Sequence, residues 1–211
     1  MLIMKNESSK SHTKPRPPRP RAVQSHEVRI IGGQYKRTKL AVADKPGLRP
    51  TPDRVRETLF NWLGQDLSGW RCLDVFAGTG ALGFEAASRG AAQVQLVELD
   101  AALVAQLKRV QTQLEADAVQ VIRGDALAAL RHAPAASLDL IFLDPPFDAG
   151  FFEAALQAAA PALTATGFLY LEAPKRWPDE QLQALGLQLH RHLKAGMVHA
   201  HLLKRNEPTA A

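Results

Sequence analysis

The chain contains 211 residues, of which 46% are apolar and 22% charged, close to the averages of globular proteins. Its single cysteine, Cys72, excludes an intrachain disulfide framework and a cysteine-clustered zinc or iron–sulfur site. Residues 1–60 contain 14 basic and 5 acidic side chains and residues 61–211 contain 12 and 16, so the net charge of +5 originates near the N-terminus. This asymmetry indicates a polyanionic partner, nucleic acid in preference to a membrane. Without an apolar run of 18 residues or a signal-peptide core, the chain is expected to be cytoplasmic.

The first 64 residues are predicted to form a tail, a small hairpin and a helix. Residues 1–27 are rich in proline and basic residues and have few large apolar side chains, so we expect disorder there. Residues 28–31 and 39–42 are predicted as two short strands that pair as a hairpin. Thr51 is predicted to be the N-cap of the following helix, with Pro52 at its first position.

From residue 71 onward, short apolar strands alternate with alanine-rich helical stretches. This alternation predicts an α/β fold with a doubly wound, mostly parallel sheet and a hairpin at the end of the chain. We therefore divide the chain into a tail (1–27), a hairpin and helix (28–64), a main domain (65–205) and a frayed end (206–211). The predicted strands are 72–76, 94–97, 119–122, 138–143 and 167–171, the helices are 81–89, 101–114, 125–130 and 151–163, and the hairpin strands are 187–193 and 197–203.

A glycine-rich loop follows the first strand of the main domain. Gly78, Gly80 and Gly83 match the pattern G-x-G-x-x-G between a strand and a helix, which lets a ligand approach the backbone at the carboxyl end of the sheet. Glu98 ends the next strand, where a carboxylate can bind both hydroxyls of a ribose. These residues alone fit a nicotinamide dinucleotide and S-adenosylmethionine about equally well.

Asp74 favours S-adenosylmethionine over a dinucleotide. It lies four residues before Gly78, where a carboxylate would repel a pyrophosphate but attract an ammonium and a sulfonium. Asp125 follows the third strand and is placed to accept a hydrogen bond from the adenine amino group. A carboxylate at that position also commonly caps a helix, and both roles can hold together.

The sequence Asp144-Pro145-Pro146-Phe147 follows the strongly apolar strand at 138–143. The two prolines stiffen the loop and thereby fix the Asp144 carboxylate and the Pro145 carbonyl as two acceptors. Such a pair can hold both hydrogens of an exocyclic amine and aim the nitrogen lone pair at a methyl donor. Phe147 is suited to stack on the heterocycle, which must be flipped out of a folded nucleic acid.

These two motifs resemble those of class I S-adenosylmethionine-dependent methyltransferases that modify exocyclic amino nitrogens. The sequence at 29–33 (RIIGG), 47–51 (GLRPT) and 53–62 (DRVRETLFNW) is more specific, and it resembles the RsmD family of bacterial 16S ribosomal RNA guanine-N2 methyltransferases. The resemblance extends from about Val28 to Arg205, and the tail before it is a departure from the family pattern. It implies a Rossmann-like, seven-stranded sheet whose last strand is antiparallel, with the hairpin and helix near the active-site mouth. It also implies direct in-line methylation of one guanine N2 within the small ribosomal subunit or its precursor.

The resemblance further implies a role for each matching residue. Arg49 and Thr51 would close over the cofactor or the RNA. The residues assigned to the acceptor base are Asp144, Pro145, Pro146 and Phe147, and those assigned to the cofactor are Asp74, Phe76, Ala77, Gly78, Gly80, Glu98, Asp125, Ala126 and Thr51.

Other polar residues carry weaker signals. Glu172 ends a strand at the carboxyl edge and either faces the target base or has a structural role. Histidines at 190, 192, 199 and 201 alternate along the predicted C-terminal hairpin, where solvated strand faces are favoured over a ligand set, so no metal is expected. The candidates for contacts to RNA phosphates are Arg29, Lys36, Arg37, Lys39, Arg49, Arg54 and Arg56.

Three alternatives remain beside the guanine-N2 methyltransferase. An adenine-N6 methyltransferase of DNA or RNA would use the same D-P-P-F loop, although the N-terminal sequence argues against it. A nicotinamide-dependent oxidoreductase is disfavoured by Asp74, and a non-catalytic RNA-binding module by the two intact motifs. The protein is expected to act as a monomer.

Overall fold

The structure, a computed structural model, describes residues 27–42, 51–146 and 150–206. Nearly all of the predicted disordered tail lies outside the described residues, as does most of the predicted frayed end. Two predicted site residues, Arg49 and Phe147, also lie outside them.

The N-terminal part begins with a two-stranded antiparallel ribbon, which confirms the predicted hairpin. Strand β1 (Glu27–Arg29) pairs with β2 (Lys39–Ala41), and Val28 lies opposite Leu40. These two side chains are buried whereas their neighbours along each strand are exposed, as the two-residue period of a strand requires. Helix α1 (Asp53–Trp62) follows.

Helix α1 begins later than the sequence predicts. Pro52 occupies the N-cap position with φ −55° and ψ 143°, and no side chain caps the helix, so the prediction of Thr51 as the N-cap is wrong. A residue that precedes proline is held in an extended conformation, which keeps Thr51 outside the helix. Its side chain is instead buried at the carboxyl edge of the main sheet, beside Asp144 and Glu172.

The main domain is built on a seven-stranded sheet in the order β5-β4-β3-β6-β7-β9-β8, and its fold confirms the predicted doubly wound, mostly parallel sheet. Neighbouring strands from β5 to β7 are parallel, whereas β9 is antiparallel to both β7 and β8. The carboxyl ends of the parallel strands therefore meet at one edge. The strands are β3 (Arg71–Asp74), β4 (Gln93–Glu98), β5 (Val119–Arg123), β6 (Leu138–Leu143), β7 (Leu163–Ala173), β8 (Leu187–Ala195) and β9 (Val198–Arg205).

Helices cover both faces of this sheet. Leu140 and Phe142 of β6 pack in the core shared with α1 and α2, whereas Ile141 and Leu143 pack in the core shared with α4, α5 and α6. The two-sided burial of β6 explains why its sequence is a continuous apolar run. The helices are α2 (Ala81–Ser88), α3 (Ala101–Gln113), α4 (Ala126–His132), α5 (Phe152–Ala159) and α6 (Asp179–Ala184).

Two details of the second half differ from the prediction. The helix predicted over 151–163 ends at Ala159, where a 3₁₀ turn (Ala160–Ala162) leads directly into β7. Strand β7 is consequently much longer than the predicted 167–171, and its pairing with β6 is irregular between Leu138 and Leu140. Pro161 lies inside the turn and limits the helix because it lacks a backbone donor.

Candidate active site

The glycine loop forms the first wall of a site at the carboxyl edge of the sheet. It runs from the end of β3 to the start of α2, where Gly80 occupies the N-cap position with φ +78°. A Cβ atom there would lie 2.6 Å from the Phe84 ring, so both backbone and space require glycine. Gly78 also has positive φ, at +51°. The loop therefore presents bare backbone at the end of β3.

Glu98 is held rigidly beside this loop. Its Oε2 accepts a 2.9 Å hydrogen bond from the Gly78 N–H, and its Oε1 accepts a 2.8 Å bond from the Asp100 N–H. Glu98 is half-buried at the end of β4. The carboxylate is therefore oriented by backbone while each oxygen keeps further acceptor capacity for ribose hydroxyls.

Asp74 is a buried carboxyl beneath the glycine loop, with a relative exposure of 2%. Its pKa is raised to about 7, mainly by burial and to a smaller extent by the negative charge of Glu98, although the backbone N–H groups of Gly83 and Phe76 donate hydrogen bonds that oppose the shift. A buried acid of this kind gains most from a nearby cation. The environment therefore fits an ammonium or sulfonium and not a phosphate.

Asp125 caps helix α4 at the same edge. Its side chain accepts a 2.8 Å hydrogen bond from the Ala128 N–H, so the structural role foreseen for this residue is confirmed. Asp125 is itself exposed, whereas Ala126 is buried behind it. Leu99, directly after β4, is 66% exposed and adds an apolar surface that the sequence interpretation missed. The position of this leucine, directly after Glu98 at the end of a strand, was the signal that the sequence offered.

Two carboxyl groups meet where β6 and β7 end. Leu143 lies opposite Leu171 in the parallel pairing, so the next residues, Asp144 and Glu172, are neighbours. The Thr51 hydroxyl is buried beside both carboxyls and, as a hydrogen-bond donor, acts to lower the pKa of each. Burial raises the pKa of both Asp144 and Glu172, and the charge of Glu172 raises that of Asp144 further. The site thus concentrates carboxyl oxygens where a hydrogen-bond donor would bind.

Tyr170 completes this group from inside the sheet. It is fully buried, and its hydroxyl donates a 2.8 Å hydrogen bond to Glu172 Oε1. Its ring also packs edge-on against Phe142 of the adjacent strand, with 6.3 Å between the ring centroids. The sequence analysis missed Tyr170, although its position two residues before Glu172 on one strand face was a usable signal.

The loop that begins with Asp144-Pro145-Pro146-Phe147 is described as far as Pro146. Pro145 is buried and Pro146 is exposed, so the stiff dipeptide lies at the surface of the site. Phe76, at the other side, is half-buried, and its ring centroid lies 6.5 Å from that of Phe151. The structure thus brings Asp74, Glu98 and Asp144 to one edge of the sheet together with the glycine loop.

Comparison with known proteins identifies the family. A family model described as "Conserved hypothetical protein 95" matches residues 28–204. The ribosomal RNA small subunit methyltransferase D of Escherichia coli is 41% identical over 186 residues, which covers 86% of this chain and 91% of the relative. The protein of the same name from Haemophilus influenzae is 42% identical over 157 residues, which covers 72% and 81%. The chain belongs to the RsmD family.

A solved structure agrees with this membership. The E. coli protein described as "Putative methyltransferase yhhF" superposes with a TM-score of 0.73 at 38% identity, covering 87% of this chain and all of that one. The predicted Rossmann-like methyltransferase fold, with an antiparallel last strand, is therefore confirmed. This RsmD-family protein is a methyltransferase, and an oxidoreductase or a non-catalytic module is not favoured.

The basic residues of this RsmD-family chain fall into two groups. Arg29, Lys36, Arg37 and Arg54 are exposed, as phosphate contacts would require, and Lys39 is exposed but ion-paired with Glu27 at 2.8 Å. Arg56 is fully buried, so its prediction as a phosphate contact is wrong. Its guanidinium donates to the Arg29 carbonyl at 2.8 Å and to Asp53 at 2.7 Å.

The alternating histidines lie on the C-terminal hairpin of the RsmD-family fold, but not all of them are solvated. His201 is fully buried and accepts a 3.2 Å hydrogen bond from the Trp177 N–H, and burial lowers its pKa to about 4. His192 and His199 are hydrogen-bonded to each other at 3.0 Å. Within residues 27–42, 51–146 and 150–206, no group of three potential ligands is arranged to hold a metal ion, and no helix is long and apolar enough to cross a membrane.

Proposed function

We propose that this RsmD-family protein transfers a methyl group from S-adenosylmethionine to the exocyclic N2 of one guanine in 16S ribosomal RNA. The methyltransferase membership gives the reaction class, and the names of the E. coli and H. influenzae relatives point to small-subunit ribosomal RNA. The observation that carries the proposal is the position of Asp144 and Pro145. These two acceptors lie at the same sheet edge as the glycine loop and Asp74.

The residues at the glycine loop fit S-adenosylmethionine, which supplies an electrophilic methyl group on a sulfonium. The buried Asp74 is placed to balance the positive charge of the methionine end, with Phe76, Ala77, Gly78 and Gly80 around it. Glu98 accepts from the ribose hydroxyls, because both its oxygens are oriented by backbone N–H groups and keep free lone pairs. Asp125 accepts from the adenine amino group beside Ala126. Thr51 faces the Asp144 and Glu172 carboxyls, so we assign it to the acceptor side of the pocket.

On the acceptor side, the protein orients the guanine amine. The Asp144 carboxyl and the Pro145 carbonyl accept the two N2 hydrogens, and this fixes the direction of the nitrogen lone pair. Proximity and alignment of this kind account for several kcal/mol of barrier lowering, since the reacting atoms need no further search. Pro146 keeps the loop rigid, and Phe147 would stack on the flipped base.

The RNA is proposed to lie across the N-terminal element. Arg29, Lys36, Arg37 and Arg54 expose positive charge there, and Arg49 and the cationic tail lie in the same part of the sequence. Each phosphate contact would steepen the salt dependence of binding. We propose that the substrate is the RNA of the small subunit or its precursor particle, and that the protein acts on it as a cytoplasmic monomer.

The proposal is tested by methyl transfer from labelled S-adenosylmethionine to small ribosomal subunits from a strain without this protein. Nucleoside mass spectrometry should detect N2-methylguanosine in 16S RNA, and Asp144→Ala should abolish it while leaving RNA affinity in place. Asp139→Ala serves as the matched control, because Asp139 lies on the same strand at the opposite end and pairs with Arg71 at 3.1 Å. The appearance of N6-methyladenosine would overturn the choice of base. Absence of cofactor binding would overturn the proposed reaction.

A further inference from the structure

A second group of exposed side chains lies at the carboxyl edge of the sheet, beyond the acceptor residues. Lys175 and Arg176 are exposed in the loop that follows Glu172 and the end of β7. Lys194 is exposed near the end of β8, and Met197, in the turn between β8 and β9, is 76% exposed. We call these four residues, Lys175, Arg176, Lys194 and Met197, the C-terminal rim.

The strand register places the C-terminal rim beside the acceptor site. Ala173, the last residue of β7, lies opposite His199 of β9, and His199 lies opposite Lys194 of β8. Neighbouring strands are about 4.8 Å apart, so Lys194 lies two strands, about 10 Å, from the strand end that carries Glu172. Lys175 follows Glu172 after only two intervening residues. The rim therefore borders the carboxyl groups at which the acceptor base would bind.

The loop that presents Lys175 and Arg176 is fixed to the body of the domain. The Trp177 N–H donates a 3.2 Å hydrogen bond to Nε2 of the buried His201 on β9. The ring centroids of Trp177 and Phe152, which lies on α5, are 6.4 Å apart. The loop also begins and ends with a proline, which restricts its backbone. The loop is thus ordered before any ligand binds, and this lowers the entropic cost of binding.

Two of the basic side chains in the rim are free to contact an anion. Among the residues that the structure describes, neither Lys175 nor Lys194 forms an ion pair. Arg176 lies 3.4 Å from Asp179, and Glu180 is exposed next to that aspartate, so the charge of this arginine is partly balanced. The main domain has more acidic than basic side chains, so an overall positive charge does not explain free lysines beside the site. The rim thus offers two unpaired positive charges to a polyanion.

The C-terminal rim and the basic N-terminal ribbon lie in different helical layers. The ribbon packs through Val28 into the core shared with α1 and α2, whereas Trp177 packs into the core shared with α5 and α6. Lys194 shares a sheet face with its partner His199, and His199 shares that face with Leu203 of the second core. The acceptor site at the sheet edge therefore lies between two basic surfaces, one in each layer.

We propose that the C-terminal rim is a second RNA-binding surface. It binds phosphates on one side of the methylated guanine, and the N-terminal ribbon binds those on the other side. This inference rests on the proposed function, because that function supplies the RNA. The RNA strand then crosses the carboxyl edge of the sheet from one helical layer to the other, and the target base enters the pocket between them. Met197 contacts a neighbouring base or sugar with its flexible apolar side chain.

The salt dependence of binding to small ribosomal subunits measures the phosphate contacts. Each contact contributes about 0.7–0.9 to the slope of log affinity against log salt, so Lys175→Ala/Lys194→Ala should reduce its magnitude by about 1–2. From about 50 to 200 mM salt, wild type should lose about tenfold more affinity than this variant loses. The KM for S-adenosylmethionine should stay within about twofold of wild type, because the cofactor residues are unchanged.

A matched variant separates a local contact from net charge. Lys108→Ala/Arg109→Ala removes the same charge from exposed positions on α3 and should leave the slope close to that of wild type. All these side chains are exposed, so melting temperatures should not change. A rim variant with the wild-type slope, or an equal change of slope in both variants, would overturn the proposal.

A chemical probe on the rim tests its position without any activity. Cys72 is the single cysteine and is buried, and burial raises the pKa of its thiol, so Met197→Cys provides one reactive thiol. An aryl azide attached there should, on illumination, cross-link to 16S RNA in the nucleotides that flank the methylated guanine, mapped by primer extension. Gln188→Cys, exposed at the other end of β8, is the matched control and should give no adduct in that region.

The outcomes separate this proposal from the proposed function. Cross-links from position 197 only to ribosomal proteins, or only to RNA far from the methylated guanine, would overturn the rim, while N2-methylguanosine formation by wild type upholds the proposed function. A wild-type enzyme that methylates no guanine would instead refute the proposed function. In that case, cross-links to 16S RNA that Lys175→Ala/Lys194→Ala weakens would still support the rim as an RNA-binding surface, and their absence would overturn it.

Discussion

The carboxylate of Glu85 accepts a 2.7 Å hydrogen bond from the backbone N–H of Ile31, 54 residues earlier in the chain. Its other oxygen accepts a 2.8 Å bond from the Gly32 N–H and lies 2.8 Å from the Arg89 guanidinium. Glu85 is fully buried in α2, the helix that begins at the glycine loop. The segment that presents the candidate RNA contacts is therefore fixed to the helix that begins at the cofactor site.

Removing the charge of Glu85 should destabilise the protein. Arg56 and Arg89 lie within 3.5 Å and 2.8 Å of its carboxylate and are buried, so Glu85→Gln leaves two guanidinium groups without a full counter-charge. We expect the free energy of unfolding to fall by about 3–5 kcal/mol. Urea denaturation measures it, with Glu57→Gln on the exposed side of α1 as the control. A loss equal to that of the control would show that the buried pairs contribute little.

Gly33 provides a second test of the same junction. It has φ +70°, and a Cβ atom there would lie 1.7 Å from the Ser88 carbonyl oxygen of α2. Gly196 is the matched control, because it has φ +61° but nothing would lie within 4 Å of a Cβ atom at that position. Both alanine variants incur the cost of positive φ, about 1 kcal/mol, but only Gly33→Ala also forces the segment off the helix.

Thermal unfolding and limited proteolysis between residues 27 and 42 distinguish these two glycine variants. Gly33→Ala should unfold at a clearly lower temperature and become cleavable within that segment, whereas Gly196→Ala should resist cleavage like wild type. Equal melting temperatures for the two variants would mean that the segment is not fixed by close packing on α2.

Local patterns in the sequence predicted most of the fold. Strand β6 was predicted with its observed bounds, because both faces are buried and the apolar run is unbroken. The antiparallel direction of the last strand came from the family resemblance and not from periodicity, and the position of β9 between β7 and β8 was not predicted. Helix α6 was missed, because its six residues bury only Leu182 and so leave almost no periodic signal.

Sequence patterns predicted the candidate site residues that lie at the end of a strand, because such positions can be recognised without knowing the tertiary structure. Asp74, Glu98 and Asp144 each follow or end a strand, which a one-dimensional pattern reveals. Arg56 was misassigned because a charged residue was expected to face solvent, whereas its burial depends on Glu85, 29 positions later in the chain. Thr51 was wrongly predicted as the N-cap of α1 for the same kind of reason, because the groups beside it, Asp144 and Glu172, are distant in the sequence.

The affinity for S-adenosylmethionine should depend on pH through Asp74. Its pKa is raised to about 7 by burial, and the cationic ligand favours the ionised form, so affinity should rise as the pH rises through 7 and level off above it. Between pH 6 and pH 8 the change should be about tenfold. Calorimetric titration checks this, and Asp74→Asn should bind weakly with little pH dependence. An equally steep dependence in the variant would assign the effect to another group.

The same carboxyl should also shape stability in the absence of ligand. Because its pKa is raised on folding, Asp74 keeps its proton in the folded state at pH values where the unfolded chain has lost it. The free energy of unfolding therefore falls as the pH rises from the unfolded value, about 4, to about 7, and stays level above. Between pH 5 and pH 8, wild type should lose about 2–3 kcal/mol more than Asp74→Asn, measured by urea denaturation. If the free energy of unfolding changed with pH equally in wild type and Asp74→Asn, Asp74 would not be a buried acid that lacks a cationic partner in the ligand-free protein.

The N-terminal ribbon should make a measurable share of the contacts with RNA. Lys36 and Arg37 are both exposed between β1 and β2, and each phosphate contact contributes about 0.7–0.9 to the slope of log affinity against log salt. The double variant Lys36→Ala/Arg37→Ala should thus reduce the magnitude of that slope by about 1–2, with a loss of affinity that shrinks as salt rises. Lys108→Ala/Arg109→Ala removes the same charge from exposed positions on α3 and serves as the control. If both double variants changed the slope equally, the ribbon would contribute only through net charge. A direct contact between the ribbon and a phosphate would be lost in the Lys36/Arg37 variant but not in the α3 variant.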